Sequence, residues 1–119
     1  MKVAVVGLGY VGMPLAVALA KYGPVQGYDV NKKRVADLKE GWDSNREISS
    51  AVLRATSCEF TDNIADIADS QIYIVTVPTP IDDNNDPDLD IVEKASAALG
   101  RIVKKGDIIA DGPSTDLGE

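Results

Sequence analysis

The feature that most constrains the fold is a glycine-rich turn that directly follows a short apolar run near the N-terminus. The run Val3–Val6 leads into glycines at positions 7, 9 and 12, which match the spacing GxGxxG. Asp29 ends the next apolar run, at about the 20-residue distance at which dinucleotide-binding units place an acid. A strand before the glycines, a helix after them and the acid together predict a dinucleotide-binding βαβ unit.

Each glycine of this turn has a separate expected role. Gly7 permits the tight bend, Gly9 lets the backbone approach a pyrophosphate, and Gly12 lets the first helix pack closely on the sheet. The N–H groups of Tyr10 and Val11 are then expected to point at phosphate, because the N-terminus of a helix binds anions. The alternative is a strand–turn–helix junction that uses glycine only for packing, which requires the spacing and the acid to coincide by chance.

The acid predicts which dinucleotide binds. Asp29 is expected to accept hydrogen bonds from the adenosine ribose hydroxyls, which favours NAD over NADP. A 2′-phosphate would face like-charge repulsion there. Lys32, Lys33 and Arg34 leave the choice open, since a basic residue at this point can hold a 2′-phosphate. Lys32 and Lys33 are also consistent with a solvated helix face. We expect Arg34 to lean over the adenosine.

Strand and helix patterns alternate along the whole chain, which predicts an α/β fold of the Rossmann type: a doubly wound, five-stranded parallel sheet with helices on both faces. The predicted strands are Lys2–Val6, Val25–Val30, Cys58–Phe60, Ile72–Val77 and Ile108–Ala110. The predicted helices are Tyr10–Tyr22, a helix capped by Asn31 that runs through Glu40 to Gly41, a short one at Ile48–Ala55, one near Asn63–Ala68 capped by Thr61 or Asp62, and Asp88–Val103 with Asp88 as its cap.

A second candidate site segment follows the fourth predicted strand. Ligands of open parallel sheets bind at the carboxyl ends of the strands, near the point where strand order reverses. Val77, Pro78 and Thr79 stand at such an end, so we expect them to reach the cofactor. The alternative is that the prolines only end the strand and stiffen the loop.

Composition narrows the class of protein. With 119 residues and a net charge of −7, the chain is expected to be one domain that does not bind nucleic acid, because an acidic surface repels phosphate backbones. No apolar run is long enough to cross a membrane and no signal peptide is recognisable, so we expect a cytoplasmic protein.

Without histidine and with Cys58 as its one cysteine, the chain is expected to hold no metal. We interpret Cys58, Trp42 and Tyr73 as packing residues.

Four stretches together resemble the N-terminal NAD-binding domain of the UDP-glucose/GDP-mannose dehydrogenase family, and most of all its UDP-N-acetylglucosamine and UDP-N-acetylgalactosamine 6-dehydrogenases of bacterial surface-polysaccharide synthesis. The resemblance runs from Lys2 to about Ile109. The stretches are Gly7–Ala16, Gly27–Asn31, Gly41–Glu47, and Tyr73–Asp82 with Pro87-Asp88-Leu89 just after it.

The resemblance implies an enzyme that oxidises the C6 alcohol of a UDP-sugar to the uronate while reducing two NAD. The aldehyde stage is held on a cysteine as a thiohemiacetal and then a thioester. In the family that cysteine and a lysine lie C-terminal to this domain, and Cys58 does not align with the nucleophile. We therefore interpret residues 1–119 as the NAD-binding domain of a longer homodimeric enzyme, without its central helix and substrate domain, and inactive alone.

The C-terminal segment departs from the family pattern. After the fifth strand the family has a Glu-Ser-Thr-Val-Tyr-Pro-Gly-like segment whose threonine helps to hold the catalytic water. Here Ser114-Thr115 stands about one residue out of register and no Tyr-Pro follows, so Thr115 is the one catalytic candidate that the resemblance implies. Two rival interpretations stay open: an NAD domain of the 6-phosphogluconate or 3-hydroxyacyl-CoA dehydrogenase type, and a non-catalytic dinucleotide-binding module.

Overall fold

The computed structural model of the protein describes residues 1–77, 83–84 and 89–111. The described chain forms a five-stranded sheet in the order β3-β2-β1-β4-β5, and all four neighbouring pairs are parallel. The strands are β1 Val3–Val6, β2 Val25–Tyr28, β3 Glu59–Thr61, β4 Ile72–Val75 and β5 Ile108–Asp111. The predicted doubly wound α/β fold is confirmed.

The central strand β1 places the ligand-binding edge of the sheet. Its two neighbours are β2 and β4, and Val6 lies in register with Tyr28 on one side and with Val75 on the other. The chain builds outward from β1 through β2 to β3, then crosses back to the other side of β1. Strand order therefore reverses at the carboxyl end of β1, where the glycine-rich turn begins.

Among the described residues, four α-helices and one short 3₁₀ helix connect the strands, and local sequence explains several of their ends. Asn31 caps the second helix by accepting a hydrogen bond from the N–H of Arg34 at 3.0 Å. Gly41, just after that helix, has φ +89°, a conformation that favours glycine. The helices are α1 Gly12–Leu19, α2 Lys32–Lys39, α3 Ser50–Ala55, the 3₁₀ helix Ile64–Ile67, and α4 Asp90–Gly100.

Two apolar cores lie on the two faces of the sheet, because successive side chains of β1 point to opposite faces. Val5 joins the core under α1, α2 and α3, whereas Ala4 and Val6 join the core under the 3₁₀ helix and α4. Tyr73, which is fully buried, belongs to the second core. Burial on both faces holds β1 rigidly, which fixes the start of the glycine turn.

Several sequence expectations need correction. Asn63, not Thr61 or Asp62, caps the 3₁₀ helix, because its side chain accepts from the N–H of Ala65 at 3.1 Å. Helix α4 begins at Asp90 with Leu89 in the capping position and no side-chain cap, so the helix does not begin just after Asp88. Asp88 itself lies outside the described residues. The interpretation of Trp42 as a packing residue is wrong, since its side chain is 50% exposed.

Candidate dinucleotide-binding site

The glycine-rich turn begins with a residue that has no room for a side chain. Gly7 has φ +101°, and a Cβ there would lie 3.0 Å from the backbone carbonyl of Thr76. Its N–H donates to the carbonyl of Tyr28 at 2.8 Å, so the turn leaves β1 still bonded to β2. These contacts confirm that the chain needs glycine at position 7.

The other two glycines differ in what surrounds them. A Cβ on Gly12 would lie 1.7 Å from the Gly7 carbonyl oxygen and 2.4 Å from Thr76 Oγ1, so α1 can start this close to the sheet only because position 12 is glycine. A Cβ on Gly9 would meet no atom within 4 Å. The backbone at Gly9 thus borders open space, which is what a closely approaching ligand needs.

Two charged side chains hold the peptide groups of Leu8, in the middle of the turn. Asp29, just after β2, accepts from the Leu8 N–H at 2.8 Å through Oδ2. Arg34, in the first turn of α2, donates to the Leu8 carbonyl from Nε at 2.9 Å and from Nη2 at 2.7 Å. Since the turn is bonded on both sides of this residue, its shape is set before any ligand arrives.

Thr76, just after β4, fastens the turn from the other side of β1. Its hydroxyl is buried and donates to the Gly7 carbonyl at 2.8 Å, while its N–H donates to the Val6 carbonyl at 2.8 Å. No role for Thr76 was predicted from the sequence. The feature that could have indicated a role is its hydroxyl, because it directly follows an apolar strand.

A cavity of about 550 Å³ opens beside this turn at the point where strand order reverses. Residues of the glycine-rich turn and of the end of β2 line this cavity, together with Val77, two residues after β4. Helix α4 forms the opposite wall and brings Lys94, whose Nζ pairs with Asp90 Oδ2 at 3.0 Å. The lining residues are Val6, Gly7, Leu8, Gly9, Tyr28, Asp29, Val30, Asn31, Arg34, Asn45, Ile64, Val77, Ile91, Lys94, Ala95 and Ala98.

The N-terminus of α1 faces this edge of the sheet without a capping side chain. Val11 is the N-cap residue and its side chain makes no capping hydrogen bond, while the Met13 N–H donates to the Gly9 carbonyl at 3.1 Å. Tyr10 is 62% exposed at the turn. Free N–H groups at a helix N-terminus suit an anion such as a pyrophosphate, so the residues here fit the cofactor that the sequence predicts.

The charges near Asp29 favour a ribose hydroxyl over a 2′-phosphate. Its carboxylate also accepts from the Asn31 N–H at 2.9 Å, so both oxygens are fixed in place. Arg34 is 8% exposed, and all three nitrogens of its guanidinium donate to Leu8, Asp43 or Ser44. Lys33 pairs with Asp37 at 3.2 Å. The basic residues that left the choice of cofactor open are therefore mostly bonded elsewhere.

The structure brings half of the predicted cofactor residues to one cavity. Its lining includes Gly7, Gly9, Asp29, Arg34 and Val77, but not Tyr10, Val11 or Gly12. Pro78, Thr79 and the catalytic candidate Thr115 lie outside the described residues. Sequence reasoning missed Thr76, Asn45, Ile64 and the α4 wall, because only the tertiary fold brings their segments to the glycine turn.

Cys58 lies in the core under α2 and α3 and is 6% exposed. Burial raises the pKa of its thiol to about 12. A thiol that stays protonated at neutral pH is a poor nucleophile. This confirms the interpretation of Cys58 as a packing residue.

The fold and the site together define a Rossmann-type dinucleotide-binding domain. Its family follows from sequence: the profile of the UDP-glucose/GDP-mannose dehydrogenase family, NAD binding domain, matches residues 1–115. The chain belongs to this family, and its cofactor is NAD. The rival dehydrogenase types of the sequence analysis are thereby set aside.

Individual relatives agree with this assignment. The chain is 50% identical over 110 residues to UDP-N-acetyl-D-glucosamine 6-dehydrogenase of Pseudomonas aeruginosa, covering 92% of this chain and 26% of the relative. It is 48% identical over 109 residues to the enzyme of the same name from Salmonella typhi, covering 91% and 26%. Among solved structures, UDP-D-ManNAc dehydrogenase from Pyrococcus horikoshii superposes with a TM-score of 0.84 at 31% identity, covering 93% and 28%. The chain thus spans about a quarter of the length of these relatives.

No helix among residues 1–77, 83–84 and 89–111 has the length and apolar character needed to cross a membrane.

Proposed function

We propose that this chain holds NAD in the cavity beside the glycine turn and forms the cofactor-binding part of a UDP-sugar 6-dehydrogenase. The sugar is of the UDP-N-acetylhexosamine or UDP-glucose type, and its C6 alcohol is oxidised to the uronate in two NAD-dependent steps. The substrate class is supported by the names of the relatives, two of which are UDP-N-acetyl-D-glucosamine 6-dehydrogenases. A role in bacterial polysaccharide synthesis belongs to the same proposal.

The observation that carries the cofactor site is the open space in front of Gly9, next to the uncapped N-terminus of α1. The backbone N–H groups of Tyr10 and Val11 would bind the pyrophosphate there. Gly7 and Gly12 would act indirectly, because they allow the turn and the helix to approach each other closely.

We assign the adenosine end of the cofactor to Asp29, with Arg34 beside it. Val77, Pro78 and Thr79 are proposed as further cofactor-binding residues. When bound, NAD supplies the hydride acceptor. The residues of this chain bind and orient it, and they exclude water through the apolar lining from Ile64, Ile91 and Ala95.

The nucleophilic cysteine and the lysine of the reaction are proposed to come from a part of the enzyme outside these 119 residues, because Cys58 is buried in the core with a raised pKa. Thr115 remains the proposed holder of the catalytic water. The complete enzyme is proposed to be a cytoplasmic homodimer that binds neither nucleic acid nor membrane, which agrees with the net charge of −7.

Calorimetric titration of this chain with NAD tests the cofactor site. We expect saturable binding that Gly9→Ala abolishes or weakens at least about tenfold, because a methyl group would occupy the space of the pyrophosphate. Gly23→Ala is the matched control, since a Cβ there also meets nothing within 4 Å but lies away from the cavity. Both variants should fold normally, as judged by circular dichroism.

Two outcomes would contradict the site. The first is no NAD binding by the unmodified chain even at millimolar concentration. The second is equal NAD affinity for Gly9→Ala and Gly23→Ala, which would show that the space in front of Gly9 is not where the cofactor lies.

An assay of the complete reading frame tests the reaction. With UDP-N-acetylglucosamine, UDP-N-acetylgalactosamine or UDP-glucose as substrate, we expect formation of two NADH per uronate. Gly9→Ala in the complete protein should lower this rate by raising the KM for NAD. If none of these sugars is oxidised while NAD binds normally, the rival interpretation of a non-catalytic dinucleotide-binding module replaces the enzyme proposal.

A further inference from the structure

We propose that Asp43 is a positioning residue of the cofactor site. Through Arg34 it fixes the carbonyl of Leu8 in the glycine-rich turn, and through the backbone of its own loop it sets Asn45 against the adenosine end of the cavity. The second part rests on the proposed NAD site, whereas the first concerns the shape of the turn itself.

The carboxylate of Asp43 is the centre of its loop. Its side chain is 0% exposed. One oxygen accepts from the Asn45 N–H at 2.9 Å, and the other accepts from the N–H groups of Glu47 and Ile48, both at 3.0 Å. A buried carboxylate with three backbone donors dictates the path of the chain around it. We call residues 43–48 the Asp43 loop.

The same carboxylate reaches the cofactor turn through one side chain. Asp43 Oδ1 accepts from Arg34 Nη1 at 2.7 Å. The other two nitrogens of that guanidinium donate to the Leu8 carbonyl at 2.9 and 2.7 Å. A rigid planar guanidinium held on one side by Asp43 presents its remaining donors in a fixed direction. Asp43 is therefore connected to the glycine turn through a single residue, Arg34, although it lies far from the turn in sequence.

The charge of Asp43 matters as well as its shape. Arg34 is 8% exposed, and a buried cation needs a charged partner. The carboxylate of Asp29 accepts from the Leu8 N–H and is not paired with the guanidinium of Arg34 among the described ion pairs. Among the described ion pairs, Asp43 is the carboxylate that neutralises Arg34.

The loop delivers a polar side chain to the cavity. Asn45 is half-buried and lines the cavity together with Asp29, Asn31 and Arg34. Its neighbour Arg46 has φ +57°, and the N–H of Arg46 donates to the Asp43 carbonyl at 2.9 Å. A left-handed residue that is not glycine indicates a loop held in shape by its surroundings. The amide of Asn45 can both donate to and accept from a ribose hydroxyl or an adenine edge.

Amide hydrogen exchange measured by NMR tests the link between Asp43 and the turn without any ligand. In Asp43→Asn we expect faster exchange at the N–H groups of Asn45, Glu47 and Ile48. We also expect at least about fivefold faster exchange at the Leu8 N–H. Loss of the charge loosens the bonds from Arg34 to the Leu8 carbonyl, so the turn opens more often and the Leu8 N–H leaves Asp29 more often. The matched control is Asp69→Asn, whose carboxylate is 73% exposed and pairs with Lys2. That variant should leave Leu8 unchanged. If Asp43→Asn alters the loop amides alone, Asp43 has only a local structural role and the proposal is overturned.

NAD titration tests the consequence for binding. Asp43→Asn should weaken NAD about tenfold, which is the effect of one charged hydrogen bond lost from a binding site. Asn45→Ala removes a half-exposed amide without touching Arg34, so it serves even if Asp43→Asn fails to fold. We expect it to weaken both NAD and AMP about threefold or more and to leave Leu8 exchange unchanged. Unchanged affinity for both ligands would overturn the placement of Asn45.

The two levels of the proposal fail in different ways. If the unmodified chain binds no NAD, the proposed cofactor site fails, and the exchange experiment still decides whether Asp43 positions the turn. If the chain binds NAD and neither variant weakens it, the cofactor site stands and the role of Asp43 falls.

Discussion

At the scale of single residues, Asp29 combines two roles. Its carboxylate fixes the Leu8 N–H and the Asn31 N–H at 2.8 and 2.9 Å, and it faces the cavity where the adenosine ribose is proposed to lie. Removing the whole side chain would disturb the turn together with the ribose site. The better substitution for cofactor choice is therefore Asp29→Asn, which keeps the size and one acceptor oxygen.

We expect Asp29→Asn to lower NAD affinity by about tenfold or more, since a charged acceptor is replaced by a neutral one. NADP should lose less, because the repulsion between the carboxylate and a 2′-phosphate disappears. Titration with both cofactors measures the ratio. Asp37→Asn is the control, because Asp37 pairs with Lys33 outside the cavity. An equal loss for NAD and NADP would argue against Asp29 as the group that reads the ribose.

Arg34 shows what residue type alone does not reveal. Its position after Asn31 suggested a group lying over the adenosine, and it does line the cavity. Its guanidinium, however, is bonded to Leu8, Asp43 and Ser44. The sequence indicated that a cation stands here but not that an acid nine positions further on, Asp43, engages it.

At the scale of elements, patterns within short sequence segments predicted the type and order of the strands and helices. Five strands and the order of the helices follow from apolar periodicity. The cap at Asn31 and the positive φ at Gly41 were both readable from residue type. The ends of elements were less accurate: β4 ends at Val75, not Val77. At Thr76, just after this strand, the side-chain hydroxyl bonds to the Gly7 carbonyl, which is a contact between distant segments.

The start of α4 shows the same limit. An aspartate before a helical pattern predicts a cap, but the helix begins at Asp90 without a side-chain cap. Its position is set by its apolar face, through which Leu99 and Ala95 pack on the second core. Tertiary packing outweighs the free energy of one cap, which is about 1 kcal/mol.

At the scale of the whole molecule, Asp43 and Cys58 are two buried groups whose titration should make stability depend on pH. Burial alone would raise the pKa of Asp43, but hydrogen bonds from Arg34 and from the backbone N–H groups of Asn45 and Ile48 outweigh it, so this pKa lies below its usual 3.8. Burial raises the pKa of Cys58 from 9.0 to about 12. The Asp43 carboxylate therefore stabilises the fold above the unfolded pKa, and the Cys58 thiol stabilises it below pH 9.

Thermal unfolding followed across pH tests this. We expect a plateau of Tm at neutral pH, a fall as the pH drops through 4, where the unfolded chain takes up the proton first, and a second fall as the pH rises above 9. In Asp43→Asn the acid limb should be shallower, and in Cys58→Ala the alkaline limb should be shallower. Limbs of unchanged slope in both variants would show that other groups control the pH dependence.

The sequence by itself determined the type of each main element, the parallel doubly wound sheet and the position of the glycine-rich turn. These depend on residues close together in the chain: alternating apolar patterns, three spaced glycines and an acid after the next strand. Only the tertiary structure decided how that turn is held. Thr76 bonds to Gly7, and Arg34, which is held by Asp43, bonds to Leu8, because the fold brings the ends of β1, β2 and β4 to one edge of the sheet. Hydrogen bonds between distant segments depend on that arrangement in space, and the spacing of residues along the chain does not reveal which residues become partners.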